Sequence, residues 1–170
     1  MKRHLILVGL PGAGKSTVGR LVAASLGAQL HDVDALIEEK LGITIKDIFA
    51  SRGEAEFREL ERAETAARLQ GPSAVVVPGG GWAAQAGNLE SVAGKALTIY
   101  LATAPRTALA RVAATDQRPL LATGDCVERL ESLHAARRPY YERCDVTIVT
   151  DDKTAGQVAR EVIELAFECE

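Results

Sequence analysis

The stretch Gly9-Leu10-Pro11-Gly12-Ala13-Gly14-Lys15-Ser16 follows an apolar run that starts at His4. It precedes a helical period, Lys15 to Leu26, in which Val18, Leu21, Val22 and Leu26 share one stripe and Gly27 is the stop. The spacing is G-x-x-x-x-G-K-[ST], and strand–loop–helix is the setting its chemistry needs. Glycines let successive backbone N–H groups turn inward without a side-chain clash. Those groups and the following helix N-terminus bind phosphate oxygens. Lys15 can then reach the β- and γ-phosphates of a nucleotide, and the Ser16 hydroxyl can ligate Mg²⁺. A chance glycine-rich turn would not need the full match between a strand and a helix.

Working outward, strands and helices alternate. Gln29–Val33 reads as a second strand and Asp34–Leu41 as a helix ending at Gly42. Thr44 with Asp47 opens the next helix, Arg52-Gly53 breaks it, and Glu54–Leu69 continues to Gly71-Pro72. Ser73–Val77 is a third strand, followed by Pro78-Gly79-Gly80-Gly81, and Ala96–Leu101 is a fourth. Thr103 with Pro105 starts a helix to about Ala114; Thr115–Gly124 reads as a loop and a candidate lid. Asp125 and Glu128 cap a helix to about Arg143, Asp145–Val149 is a fifth strand, and Thr154 with Gln157 boxes a last helix to about Phe167. This alternation predicts a mostly parallel sheet with helices on both faces.

The whole chain bounds the function. Its 170 residues suit one domain, with 47% hydrophobic and 25% charged residues, as in ordinary globular proteins. The 20 Lys+Arg against 23 Asp+Glu leave a net charge of −3, which argues against a nucleic-acid binder. The longest apolar run is too short to span a membrane. Because it ends in the glycine-rich loop, it reads as a buried strand rather than a signal peptide. Cys126, Cys144 and Cys169 have no disulfide or zinc spacing, and a reducing cytosol is the expected compartment.

Many phosphate-loop enzymes place an Asp after a later apolar strand to help hold Mg²⁺. Here Val75-Val76-Val77 ends in glycines, so the available acids are Asp32 and Asp34. At the carboxyl end of the second strand they would sit on the side of the phosphate loop. Their i, i+2 spacing suits one facing the metal and its waters, the other a substrate hydroxyl; helix capping by Asp34 is the alternative. The triple glycine allows close approach to the backbone, or is a tight turn. Arg58, Arg118, Arg137 and Arg138 suit a carboxylate grip or a phosphoryl clamp. Spacing alone does not choose among them.

Taken in order, these motifs resemble the shikimate kinase family over nearly the whole chain. The residues that carry the resemblance are GLPGAGKST, Asp32-Val33-Asp34, Asp47-Ile48-Phe49, Gly53-Glu54-x-x-Phe57-Arg58-x-x-Glu61, Gly79-Gly80-Gly81, Arg118-Pro119-Leu120-Leu121 and Arg137-x-Pro139 followed by Tyr140-Tyr141. The resemblance implies an α/β, three-layer P-loop kinase fold of one domain, residues 1–170, with a five-stranded parallel sheet. Its phosphate loop would be 9–17, its substrate-binding helices about 33–61 and its lid about 113–125. It implies transfer of the ATP γ-phosphate to the 3-hydroxyl of shikimate, with Mg²⁺, in the route to chorismate and the aromatic amino acids.

Carried over residue by residue, Lys15, Asp34 and Arg118 would be catalytic. Gly12, Ala13, Gly14, Lys15, Ser16, Thr17, Arg111 and Arg118 would hold the nucleotide. Asp34, Phe49, Phe57, Arg58, Gly79, Gly80, Gly81 and Arg137 would hold shikimate, with Glu61 bracing Arg58. Ser16, and Asp32 through water, would hold the metal. A cytoplasmic monomer without nucleic-acid or membrane partners is implied. Three features depart from the family pattern: Trp82 after the glycines, Pro78 before them, and Arg138 beside Arg137. Trp82 could narrow the pocket or pack away from it. The alternative acceptor is another small hydroxy acid, as in gluconate-type kinases. A nucleotide sensor without catalysis would have lost Lys15, Asp34 or Arg118, and a mononucleotide kinase would want more arginines.

Overall fold

The computed structural model describes residues 2–116 and 124–168. Five strands, β1 (His4–Val8), β2 (Leu30–Asp32), β3 (Val75–Val77), β4 (Ala96–Ala102) and β5 (Val146–Val149), form one parallel sheet in the order β2-β3-β1-β4-β5. β1 is central, with Leu5 opposite Val75 on one side and Leu97 on the other. Its five residues are all buried, as a parallel strand covered on both faces requires.

Side chains alternate across the strands, and this alternation separates two cores. Leu5, Leu7, Val75, Val77, Leu97, Ile99 and Leu101 join Val18 and Val22 of α1 (Lys15–Leu26) and Val158 and Val162 of α7 (Ala155–Glu168). Ile6, Val8, Val76 and Tyr100 face the other way. They pack with Ile37 of α2 (Val33–Leu41), Ile48 and Phe57 of α3 (Ile45–Arg68) and Tyr141 of α6 (Gly124–Tyr141). The expected three-layer architecture is therefore present. Among the described residues, no helix is long and apolar enough to cross a membrane.

Several boundaries differ from the sequence expectation. Helix α2 starts at Val33, so β2 ends at Asp32, whose carboxylate accepts from the Ala35 N–H at 3.4 Å. Asp32, not Asp34, is the helix cap. The Thr44 cap is present, with its hydroxyl accepting from the Asp47 N–H at 3.2 Å. The break at Gly53 is a kink inside α3, where φ is 82°. The Thr154–Gln157 box is reciprocal: Gln157 N–H donates to the Thr154 hydroxyl at 3.2 Å, and Gln157 Oε1 accepts from the Thr154 N–H at 2.8 Å. A 3₁₀ turn (Trp82–Ala84) and α4 (Asn88–Val92) follow the glycines and were not expected; both are too short for a periodic pattern to register. Helix α5 (Pro105–Asp116) extends two residues past Ala114, and α6 already includes Gly124, so the loop expected over 115–124 is narrower at both ends. α6 ends at Tyr141 rather than Arg143.

Candidate active site

The loop between β1 and α1 lies at the carboxyl edge of the sheet, where ligands of open α/β proteins bind. Gly12 and Gly14 have φ of 82° and 88°, which L side chains rarely adopt. A Cβ on Gly12 would also collide with the Ala108 carbonyl. Beside the loop lies a cavity of about 460 Å³. Residues Gly12–Val18 line it, together with Arg111, Val112, Thr150, Lys153, Ala155 and Val158. Arg111 donates to the Thr150 hydroxyl at 3.1 Å and to its carbonyl at 2.6 Å, tying the segment after β5 to the cavity wall. Lys15 turns onto its own loop, donating to the carbonyls of Gly9 (2.9 Å) and Leu10 (3.0 Å). Burial pulls its ammonium down to about 8, against the opposing pull of Asp34 and Asp32.

Two acids mark the inner end of the site. The Ser16 hydroxyl donates to Asp32 Oδ2 at 2.7 Å. Two residues on, the Asp34 carboxyl is raised by burial and by the neighbouring Asp32 charge. A Cβ on Gly79 would stand 2.5 Å from Glu61 Oε1 and 3.0 Å from Asp34 Oδ1, so a side chain there would push the two carboxyls aside. Neither of those two oxygens has a hydrogen-bond partner among the described residues. Glu61 is fully buried, and burial pushes its carboxyl up to about 7 although Arg58 opposes the shift.

Arg58 forms the next wall. Its guanidinium donates to Glu61 at 2.8 Å and to Glu54 at 2.9 Å, and lies 5.3 Å from the Phe57 ring centroid and 6.0 Å from that of Phe49. The two rings pack at 4.8 Å. A Cβ on Gly81 would be 2.5–2.7 Å from three guanidinium atoms, so the glycine gives Arg58 its room. From α6, Arg137 Nη1 approaches Gly80, 3.4 Å from where a Cβ would stand. Arg138 is exposed and bound to Glu142 at 2.6 Å.

The structure thus brings together Asp34, Phe49, Phe57, Arg58, Gly79, Gly80, Gly81 and Arg137. Gly12, Ala13, Gly14, Lys15, Ser16, Thr17 and Arg111 stand around the adjoining cavity. Arg118 lies outside the described residues, as does the middle of the segment expected to be a lid. Trp82 is buried in the core and lines a separate cavity with Arg62, Thr65, Leu69 and Val92. Sequence reasoning missed Thr150 and Lys153 as cavity residues. Their only signal was position just after the fifth strand.

Comparison with known proteins points to one family. Residues 11–166 match the family model for shikimate kinase. A shikimate kinase of Moorella thermoacetica is 40% identical over 164 residues, covering 96% of this chain and 94% of its own. One from Mycobacterium leprae is 41% identical, with 96% and 82% covered. Among solved structures, shikimate kinase from Acinetobacter baumannii in complex with shikimate superimposes with a TM-score of 0.88 at 34% identity, covering 99% of this chain and 94% of that one.

Proposed function

Because this chain belongs to the shikimate kinase family, and so transfers the ATP γ-phosphate to the 3-hydroxyl of shikimate, we propose that two adjoining pockets divide the work. The 460 Å³ cavity takes the nucleotide, and the cluster around Gly79–Gly81 takes the acceptor. The observation that carries this division is the convergence of Arg58, Arg137 and the Asp34 carboxyl on three successive glycines beside the phosphate loop.

Phosphoryl transfer needs mainly alignment and charge stabilisation. In this reading the N–H groups of residues 12–17 hold the phosphates. Lys15 leaves the Gly9 and Leu10 carbonyls for the transferring group. Arg58 and Arg137 grip the shikimate carboxylate from two sides, each as a charge-assisted clamp. Phe49 and Phe57 wall the ring, and Glu61 with Glu54 fixes the Arg58 fork. Asp34 holds the 3-hydroxyl in line and takes its proton as the new O–P bond forms and the bond to ADP breaks. Burial raises its carboxyl above the ordinary aspartate value, which strengthens it as a proton acceptor. The family resemblance gives Arg118 the remaining charge neutralisation on the transferring group.

The oxygen-only pair of Ser16 and Asp32, 2.7 Å apart, fits a hard cation, and Mg²⁺ would be held there by the hydroxyl directly and by Asp32 through water. When bound, the ion neutralises phosphate charge. The reading also takes the protein as a cytoplasmic monomer free of nucleic acid and membrane, in keeping with its charge of −3 and its family.

The test is ADP release from Mg·ATP with shikimate, gluconate or AMP as acceptor. Stimulation by shikimate alone is expected. Equal stimulation by gluconate would overturn the acceptor assignment.

A further inference from the structure

The three glycines that flank the acceptor carry three carbonyls, and these are held in two different ways. The Gly79 carbonyl accepts from the Trp82 N–H at 3.1 Å, and that of Gly81 accepts from the Ala84 N–H at 3.2 Å. Both bonds belong to the local 3₁₀ turn. The Gly80 carbonyl instead accepts from the Tyr141 hydroxyl, which arrives from α6. Gly80 has no side chain of its own to fix it. Its Cα is wedged against the phosphate loop, since a Cβ there would be 3.1 Å from the Gly9 carbonyl and 3.3 Å from Pro11.

A planar peptide ties the direction of the Gly80 carbonyl to that of the Gly81 N–H. Whatever holds the first therefore aims the second. Tyr141 is suited to hold it. Its ring is fully buried and stacks on Tyr100 with centroids 4.9 Å apart. The Tyr100 hydroxyl is in turn engaged with His134 Nε2 at 3.2 Å. Arg137 lies four residues earlier on α6, on the same helix face, and its guanidinium stands beside the Tyr141 hydroxyl.

We propose that Tyr141 is a positioning residue for the acceptor: its hydroxyl sets the Gly80–Gly81 peptide and the Arg137 guanidinium in one register, so that both close on the same substrate. The inference rests on the acceptor site assigned above. It makes Tyr141 a determinant of shikimate affinity with no contact to the nucleotide.

The test is Tyr141→Phe, which keeps the stacked ring and removes only the hydroxyl, assayed beside wild type and Tyr100→Phe. Tyr141→Phe leaves a buried carbonyl unpaired, and the shikimate KM should rise about tenfold. The KM for ATP should stay within about twofold, because no nucleotide contact is lost. Trp82, the one tryptophan of the chain and two residues from Gly80, gives an independent shikimate Kd by fluorescence. That Kd should shift with the KM. Tyr100→Phe keeps the Tyr141 hydroxyl and should bind shikimate like wild type. A Tyr141→Phe enzyme with unchanged shikimate KM and Kd would overturn the proposal, as would equal losses for ATP and shikimate. If Tyr141→Phe yields no folded protein, Tyr141→Leu, which likewise offers no donor to the Gly80 carbonyl, is read in the same way. A selective shikimate defect supports the proposal, and a defect shared with ATP removes it. Failure of wild type to respond to shikimate would bring down the acceptor assignment itself, and this inference with it. An active wild type beside an unimpaired Tyr141→Phe would remove only the role of Tyr141.

Discussion

The Ser16 hydroxyl donates to Asp32 Oδ2 at 2.7 Å, joining the first turn of α1 to the end of β2. The other oxygen of Asp32 caps α2 by accepting from the Ala35 N–H. One carboxylate therefore serves the fold and the proposed metal site at once. Asparagine separates the two roles, because it caps helices as well as aspartate does but carries no charge. Asp32→Asn should leave the melting temperature within about 2 °C of wild type. The Mg²⁺ concentration for half-maximal activity should rise about tenfold, the scale for loss of an outer-sphere ligand partner. A magnesium titration at saturating ATP checks this. An unchanged titration with a lowered melting temperature would leave Asp32 as a cap alone.

Asp34 stands across Gly79 from Glu61, with an oxygen unpartnered among the described residues and turned toward the glycine. A base held this way should matter for turnover and little for the nucleotide. Asp34→Asn should lower kcat by about a hundredfold or more, the usual contribution of a positioned base. ADP affinity, measured by calorimetry, should change less than about twofold. Near-wild-type turnover would remove Asp34 from the chemistry.

Two adjacent arginines have opposite surroundings. Arg137 is half-buried against Gly80, whereas Arg138 is exposed and paired with Glu142 one turn away. Exposed i, i+4 pairs contribute little, because water screens them. Losing a charge-assisted bond to a carboxylate costs about 1.5–3 kcal/mol. Arg137→Ala should therefore raise the shikimate KM by about 10- to 100-fold, and Arg138→Ala by less than about twofold. Steady-state kinetics on the two variants decides it, and the reverse ranking would move the clamp by one residue.

The sequence alone left that pair open, because spacing does not say which way a helix is rotated. The phosphate loop was legible for the opposite reason: its glycines, Lys15 and Ser16 are contiguous, and their backbone geometry is dictated locally. Strands β1, β3, β4 and β5 were legible from short apolar or β-branched runs, whereas β2, with the sequence Leu30-His31-Asp32, was legible chiefly from its place between two helical stretches. Asp32 as the α2 cap was not, since Asp32 and Asp34 are equally good cap residues and only the strand's end point chooses. Trp82 was open between narrowing the acceptor pocket and packing away from it. Its burial beside Thr65 and Leu69 depends on α3 and α4, elements distant in sequence. Thr150 and Lys153 became cavity residues through the Arg111 bonds that draw their segment inward, a tertiary effect without a local pattern.

Lys15 provides a test through pH. Its ammonium is pulled down to about 8 in the folded protein, below the ordinary lysine value, chiefly by burial. The unfolded chain therefore binds this proton more tightly, and the burden on folding is fully present below about pH 8. Between about 8 and 10.5 it is relieved, so this group's contribution makes stability rise with pH across that window. Phosphate oxygens arriving beside the amine reverse the shift and restore the charged form. Nucleotide binding should then take up a proton, about half of one per site at pH 8, where the free amine is half charged. Affinity for ATP should fall as pH rises from about 7 to 9. Calorimetry at pH 8 in two buffers of different ionisation enthalpy measures the uptake directly. No uptake would mean that the free protein already holds the Lys15 ammonium fully charged at pH 8, against the downward shift that burial produces.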